Sequence, residues 1–214
     1  SYPTTWNIGT DAGKLFDKMT LSDWITQYVP GGHGSQLGAL LNAAYTEEYG
    51  AETTDQSALN LIYLLGYKAG PGTWSIYGAS DERYHIVGGN SNLPVAIANA
   101  LPSGSIHFGY RMTAIATNVD GTITVSFDNR QTITADHVVL CMSFPVLRTL
   151  NYKKAGFDQL KQTAISQLGS GINAKLNLQF NARIWNQQGS TGSLYSDLPF
   201  ESGFATALQN AGSV

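Results

Sequence analysis

Apolar positions recur every three or four residues through the first part of the chain and every second residue through much of the middle, which predicts helices followed by strands. Thr20 and Asp23 read as an amino-terminal cap before Trp24, Ile25 and Tyr28, and Pro30-Gly31-Gly32 stops that segment. Leu37, Leu40, Leu41, Ala44 and Tyr45 predict a second amphipathic helix. Ala58, Leu59, Ile62 and Leu65 predict a third, between a Thr53-x-x-Gln56 capping signal and Gly66. Residues 66–80, rich in Gly, Ser, Pro and Tyr, read as a loop or a domain crossing.

The pattern changes at Arg83. Ser91 to Leu101 predicts a short helix, with Pro94 tolerated in its first turn and Pro102 and Gly104 beyond its end. From Ile106 the residues alternate, and Asp120-Gly121 before Thr122 to Phe127 is the strongest short hairpin signal in the chain. Val138 to Met142 is continuously apolar, as a strand covered on both faces would be, and makes Cys141 a buried thiol. After Pro145 the helical period returns through Leu160, Ile165 and Leu168. Ala174 to Phe180 alternates again, with Lys175, Asn177 and Gln179 on the polar face.

Composition narrows the classes. The chain has 214 residues, 43% hydrophobic and 11% aromatic, enough to bury a sizeable core. Charged residues make up only 13% and the net charge is −3, so a basic surface for nucleic acid is not expected. No apolar run reaches the length of a membrane span, and the start Ser1-Tyr2-Pro3 lacks a basic region followed by an apolar core, so the chain reads as soluble. One cysteine permits no internal disulfide, and Asn-x-Ser/Thr acceptors are missing. The compartment is not encoded, and bacterial cytoplasm and secretion both stay open.

Several chemistries lack the residues they need. Gly32-His33-Gly34 with Gly38 resembles a phosphate-cradling turn, but the segment before it reads as helix, whereas a dinucleotide fingerprint needs a preceding strand. The four histidines, His33, His85, His107 and His137, lack ligand-like spacing, so no metal is expected. No Gly-x-Ser-x-Gly elbow occurs, and Cys141 lies in an apolar run, which leaves covalent hydrolysis without a nucleophile. The run from Glu82 to Asn90 is more informative, because paired glycines at Gly88-Gly89 allow close backbone approach. Taken alone it is a tight turn, and by alternation alone Lys175 is a solvated lysine.

Read in order, these segments resemble the flavin amine oxidase family: monoamine oxidases, polyamine oxidases, histone demethylases of that fold and L-amino-acid oxidases. The likeness rests on Glu82-Arg83 followed by Ile86-Val87-Gly88-Gly89, on Arg111-Met112, on Val139 through Leu147, and on Gly171 through Lys175 to Phe180 and Trp185. It implies an α+β or α/β fold in two parts, a helix-rich, mixed-sheet substrate domain and strands of a Rossmann-type FAD domain. Residues 1–80 would be substrate-domain helices, 81–150 the FAD-domain portion with β-hairpins, and 151–214 the substrate-domain sheet portion. The family's amino-terminal glycine fingerprint and its carboxy-terminal flavin segment do not occur here, so an interior fragment is expected.

Residue by residue, the resemblance sets the Met112 backbone against the adenine end of FAD and turns Gly88 and Gly89 toward the flavin ring. Asn92 falls where relatives place an active-site amide, and Lys175 falls at the buried lysine that holds a water against the flavin. The implied reaction takes an amine or L-amino acid to an imine, which water hydrolyses, while dioxygen becomes hydrogen peroxide; the cofactor carries the redox chemistry. Amino acids are favoured over polyamines. The implied partners are the substrate and the remaining FAD-domain segments of the same protein, and exposed apolar surface makes a homo-oligomer an expectation. The fragment alone is expected to be inactive and not to retain FAD. The alternatives are a desaturase or porphyrinogen oxidase of the same superfamily, and an inert binding or assembly module.

Overall fold

Hydroxyl side chains start the helices of the amino-terminal region. In the computed structural model, which describes residues 4–5, 8–66, 70, 72, 74–79, 86–196, 198, 200 and 202–203, a two-residue ladder, β1 (Thr4–Thr5) with β2 (Ile8–Gly9), precedes them. The Thr10 hydroxyl accepts from Gly13 N at 3.0 Å and opens α1 (Asp11–Lys18). Thr20 accepts from Asp23 N at 3.0 Å and opens α2 (Leu21–Tyr28), and Ser35 accepts from Gly38 N at 3.0 Å and opens α3 (Gln36–Tyr49). Each bond satisfies an amide that the first helical turn leaves without a carbonyl.

The cap of α4 (Ala58–Leu65) corrects the sequence expectation. Ser57 performs that role, accepting from Leu59 N at 3.2 Å. Thr53 and Gln56 are buried instead: Thr53 donates to Asn42 Oδ1 at 2.6 Å, and Gln56 Nε2 reaches the Tyr45 and Ala51 carbonyls at 2.9 and 2.6 Å. Their polar groups serve the end of α3, because burial without a partner would cost more than a cap returns.

The chain divides into two compact units, residues 1–87 with 171–214, and residues 88–170. In the first, Leu21, Ile25, Leu41, Tyr45 and Leu61 are at most 2% exposed and form the core shared by α2, α3 and α4. Burial of each such aliphatic side chain contributes about 1.5–3 kcal/mol. Two short strands, β7 (Leu194–Tyr195) and β8 (Ser202–Gly203), pair in the same unit.

The second unit opens with α5 (Asn92–Ala100), which buries none of its residues; Leu93, Val95 and Ile97 are each more than half exposed. A mixed sheet follows from β3 (Met112–Thr117), β4 (Ile123–Phe127), β5 (Thr132–Ala135) and β6 (Asn151–Lys154), in the order β5-β4-β3-β6. The hairpin β3-β4 turns at Asp120-Gly121, where Gly121 has φ +87° and the Asp120 carboxylate accepts from the Thr122 amide and hydroxyl at 3.0 and 2.7 Å. Those two bonds hold the Asp120 carboxyl below its usual range. Strand β6 runs parallel to β3, and the helices α6 (Phe144–Leu147) and α7 (Gln159–Gln167) flank it in sequence. Residues 151–170 lie in this unit, whereas the sequence reading grouped them with the third segment.

Two expected strands do not form. Val138 to Met142 runs without ladder partners, Val139 is 84% exposed, and Cys141 is an exposed thiol rather than a buried one. The parallel neighbour of β3 is β6, so no edge remains beside it for residues 138–142. Ala174 to Phe180 likewise has no strand pairing, and residues 171–180 are exposed throughout. Among the described residues, no helix is long and apolar enough to cross a membrane.

Candidate functional site

Paired glycines fix the turn that leads into α5. Gly88 and Gly89 have φ of +83° and +106°, a region that side chains with a β-carbon rarely adopt. The Gly89 carbonyl accepts from Asn92 N at 3.1 Å, and a β-carbon placed on Gly88 would lie 2.9 Å from Asn92 Nδ2. The same substitution at Gly89 meets nothing closer than Ser91 Oγ at 3.9 Å. The structure therefore brings together Gly88, Gly89 and Asn92, with open space beside the second glycine. Glu82 and Arg83, which the sequence reading placed just before, lie outside the described residues.

Met112 opens β3 in the same unit. It is half-buried, pairs with Phe127, and is followed by a register shift before Ala114. Such an irregularity bends a strand and redirects its first residues. The position is pinned by the Asp128 N to Arg111 O bond of 2.9 Å and by Tyr110 standing edge-on to Phe127 at 5.1 Å.

Lys175 belongs to the other unit and is exposed rather than buried as the resemblance implied. The start of its segment is held against the end of α3. Ile172 N donates to Gly50 O at 2.9 Å, and Asn173 Nδ2 donates to the Glu47 carbonyl. Gly50, in the left-handed cap of α3 at φ +66°, and Gly171 lie where β-carbons would collide with the opposite backbone.

Sequence reasoning missed a group of phenols in this unit. Tyr195 donates to Tyr77 Oη at 3.3 Å, while Tyr77 has Glu47 Oε2 and the Ala44 carbonyl as acceptors at 3.4 Å. Tyr45 donates to the Ile76 carbonyl at 2.9 Å. Burial pushes the Tyr45, Tyr49 and Tyr77 hydroxyls above their ordinary range; the Tyr195 hydrogen bond and charge add to the effect at Tyr77, and Glu48 adds to it at all three. These phenols stay neutral donors. Only the i, i+4 spacing of Tyr45 and Tyr49 on α3 was visible beforehand. Among the described residues, no group of three or more His, Cys, Asp or Glu is placed to hold a metal ion.

The sequence profile of flavin containing amine oxidoreductases matches residues 19–210. The chain belongs to the flavin-containing amine oxidoreductase family. This family member is 34% identical to polyamine oxidase 2 of Arabidopsis thaliana over 91 residues, which cover 42% of the chain and 18% of that relative. Its fold is similar to that of a single-substitution variant of putrescine oxidase, from a structure-based redesign of cofactor binding, with a TM-score of 0.63 over 86% of the chain at 13% identity. A double-substitution variant of the same enzyme gives 0.61 over 90% of the chain at 15% identity. The chain spans 40% and 44% of those two structures, under half of either. The likeness identifies the fold as the mixed α/β one of that enzyme. Flavin is the cofactor of the family. At the Gly88-Gly89 turn the backbone carries no side chain and is open beside Gly89, so a cofactor could approach it closely there.

Proposed function

We propose that this chain is part of an FAD-dependent amine oxidase that converts an amine or an L-amino acid to the imine, which water hydrolyses, with dioxygen reduced to hydrogen peroxide. The observation that carries this reading is the Gly88-Gly89 turn, whose two left-handed glycines stand four and three residues before Asn92 at the start of α5. The chemistry supplied by bound FAD is acceptance of a hydride from the carbon beside the amine nitrogen and delivery of electrons to dioxygen.

The protein groups position and shield. Gly88 and Gly89 would let backbone approach the cofactor, and the Met112 backbone would help to hold it. The Asn92 amide orients the substrate with a donor and an acceptor. Lys175 would hold a water and supply positive charge to the reacting groups. In this scheme residues 1–80 and 151–214 serve the substrate and 81–150 the flavin.

In place of the preference for amino acids drawn from the sequence, amines are proposed here over amino acids. The relatives above are named polyamine and putrescine oxidases, which supports the same preference. The 214 residues alone are proposed not to retain FAD, since none of the groups assigned to it is a glycine loop between a strand and a helix that would cradle phosphates.

An absorbance spectrum tests both parts. The complete protein should carry the flavin bands and release peroxide when given an amine; a colourless, inactive complete protein sinks the assignment. Stoichiometric flavin on the purified 214-residue chain after gel filtration would refute the claim about retention.

A further inference from the structure

The two edges of the four-stranded sheet differ in character. β6 carries Lys153 and Lys154 and a register shift against β3, features that discourage pairing with a further strand. β5, Thr132-Ile133-Thr134-Ala135, has no charge, no proline and an even register against β4. The Phe127 amide donates to the Gln131 carbonyl at 3.0 Å, which sets the phase of that ladder. Ile133 and Ala135 therefore turn their backbone groups toward β4, and Thr132 and Thr134 turn theirs to the open edge.

An apolar row runs off the same edge. Ile115, Val125 and Ile133 lie side by side on β3, β4 and β5, and their exposure rises from 5% and 8% to 47%. The turn before β5 holds Arg130 at φ +66°; among the described residues it is the one residue other than glycine in the left-handed region. Glycine suits that position without strain, so an arginine there points to a use for its side chain. Asp136 follows β5 directly. Both charged residues are exposed, and neither forms a salt bridge among the described residues.

We propose that β5 is the pairing edge for a second copy of this chain, antiparallel, with Ile133 opposite Ile133 of the second copy. That register sets Thr132 opposite Thr134, the residues whose backbone groups face outward, so the ladder continues from one sheet into the other. The two Ile133 side chains meet on one face and close the apolar row. Arg130 of each copy falls opposite Asp136 of the other, which gives both charges a partner. A one-residue slip would set outward groups against inward ones, and a two-residue slip would break the Arg130–Asp136 pairing. The pairing does not rest on the oxidase reading, since it involves neither cofactor nor substrate, and each can fail without the other.

The test is sedimentation velocity of the complete protein over a concentration series, with disulfide trapping beside it. The parent should pass from monomer to dimer with a dissociation constant on the order of 100 µM, because a short edge makes a small interface. Ile133→Lys should stay monomeric. Arg130→Glu should raise the constant at least about tenfold by setting like charges opposite at both ends, and adding Asp136→Arg should restore parental association. With reactive thiols removed, Cys141→Ser included, Ile133→Cys should cross-link to a dimer under diamide, and Thr134→Cys, which faces Thr132 of the second copy, should not. A parent that stays monomeric throughout, a dimer that survives Ile133→Lys, cross-linking of Thr134→Cys as complete as that of Ile133→Cys, or no rescue by the charge reversal would overturn the assignment.

Discussion

Gly171 stands against the last turn of α3 so closely that a β-carbon on it would lie 2.1 Å from the Tyr49 carbonyl oxygen and 3.2 Å from Gly50 Cα. Backbone meets backbone there, and neither side can rotate away as a side chain would. The contact fixes where the Lys175 segment leaves the core, since Ile172 bonds to Gly50 immediately afterwards. Gly171→Ala should therefore destabilise the first unit by at least about 2 kcal/mol in urea unfolding. Parental stability of that variant would show that the crossing is looser than the geometry describes.

Lys175 tests whether that segment has a chemical role. A solvated lysine tolerates replacement, whereas one beside the cofactor does not. In the complete enzyme, Lys175→Met should slow flavin reduction or reoxidation at least about tenfold while the unfolding midpoint stays within about 0.5 kcal/mol of the parent. Stopped-flow half-reactions matching the parent would return Lys175 to the solvent-exposed class.

The buried phenols predict an alkaline limit to stability. Tyr45 is fully buried, and desolvation raises its hydroxyl above the ordinary value of 10.0. Below that value both folded and unfolded chains hold the proton, and the stabilisation is complete. As pH rises past it the unfolded chain ionises first, so stability falls until the folded value is reached. Denaturant midpoints measured from pH 8 to 11 should decline above about pH 10, and Tyr45→Phe should flatten that decline while losing the 2.9 Å bond to Ile76. A slope unchanged by the substitution would assign the effect to other groups.

Gln56 joins the end of α3 to the start of α4 through two carbonyls on the α3 side. Gln56→Leu fills similar space without donors and should cost about 1–3 kcal/mol, read as a lower thermal midpoint. Thr53→Val removes a single bond to Asn42 and should cost less. The reverse order would mean that Thr53 is the more important tie.

The sequence by itself determined the features that depend on a few neighbouring residues. Thr20 starts α2 because its hydroxyl reaches an amide three residues on, and Pro30 with Gly31 ends it because neither continues a helix. Asp120-Gly121 makes the hairpin turn through local bonds and a left-handed glycine, and the Gly88-Gly89 pair signals a backbone that only glycine adopts readily. Tertiary structure decided what depends on partners distant in sequence. Alternation in Ala174 to Phe180 and the apolar run at Val138 to Met142 name strand-forming residues without naming a neighbour. The sheet instead accepted Asn151–Lys154, whose polar sequence gave little sign of it. Thr53 and Gln56 likewise carry the letters of a cap, and only the approach of α3 turned them into buried ties. Tyr195 and Tyr77 meet across 118 residues, and Thr46 of α3 and Tyr195 of a separate segment line one cleft. Hydrogen bonds and burial are set by which surfaces the fold brings within a few ångströms, and local periodicity carries no record of that choice.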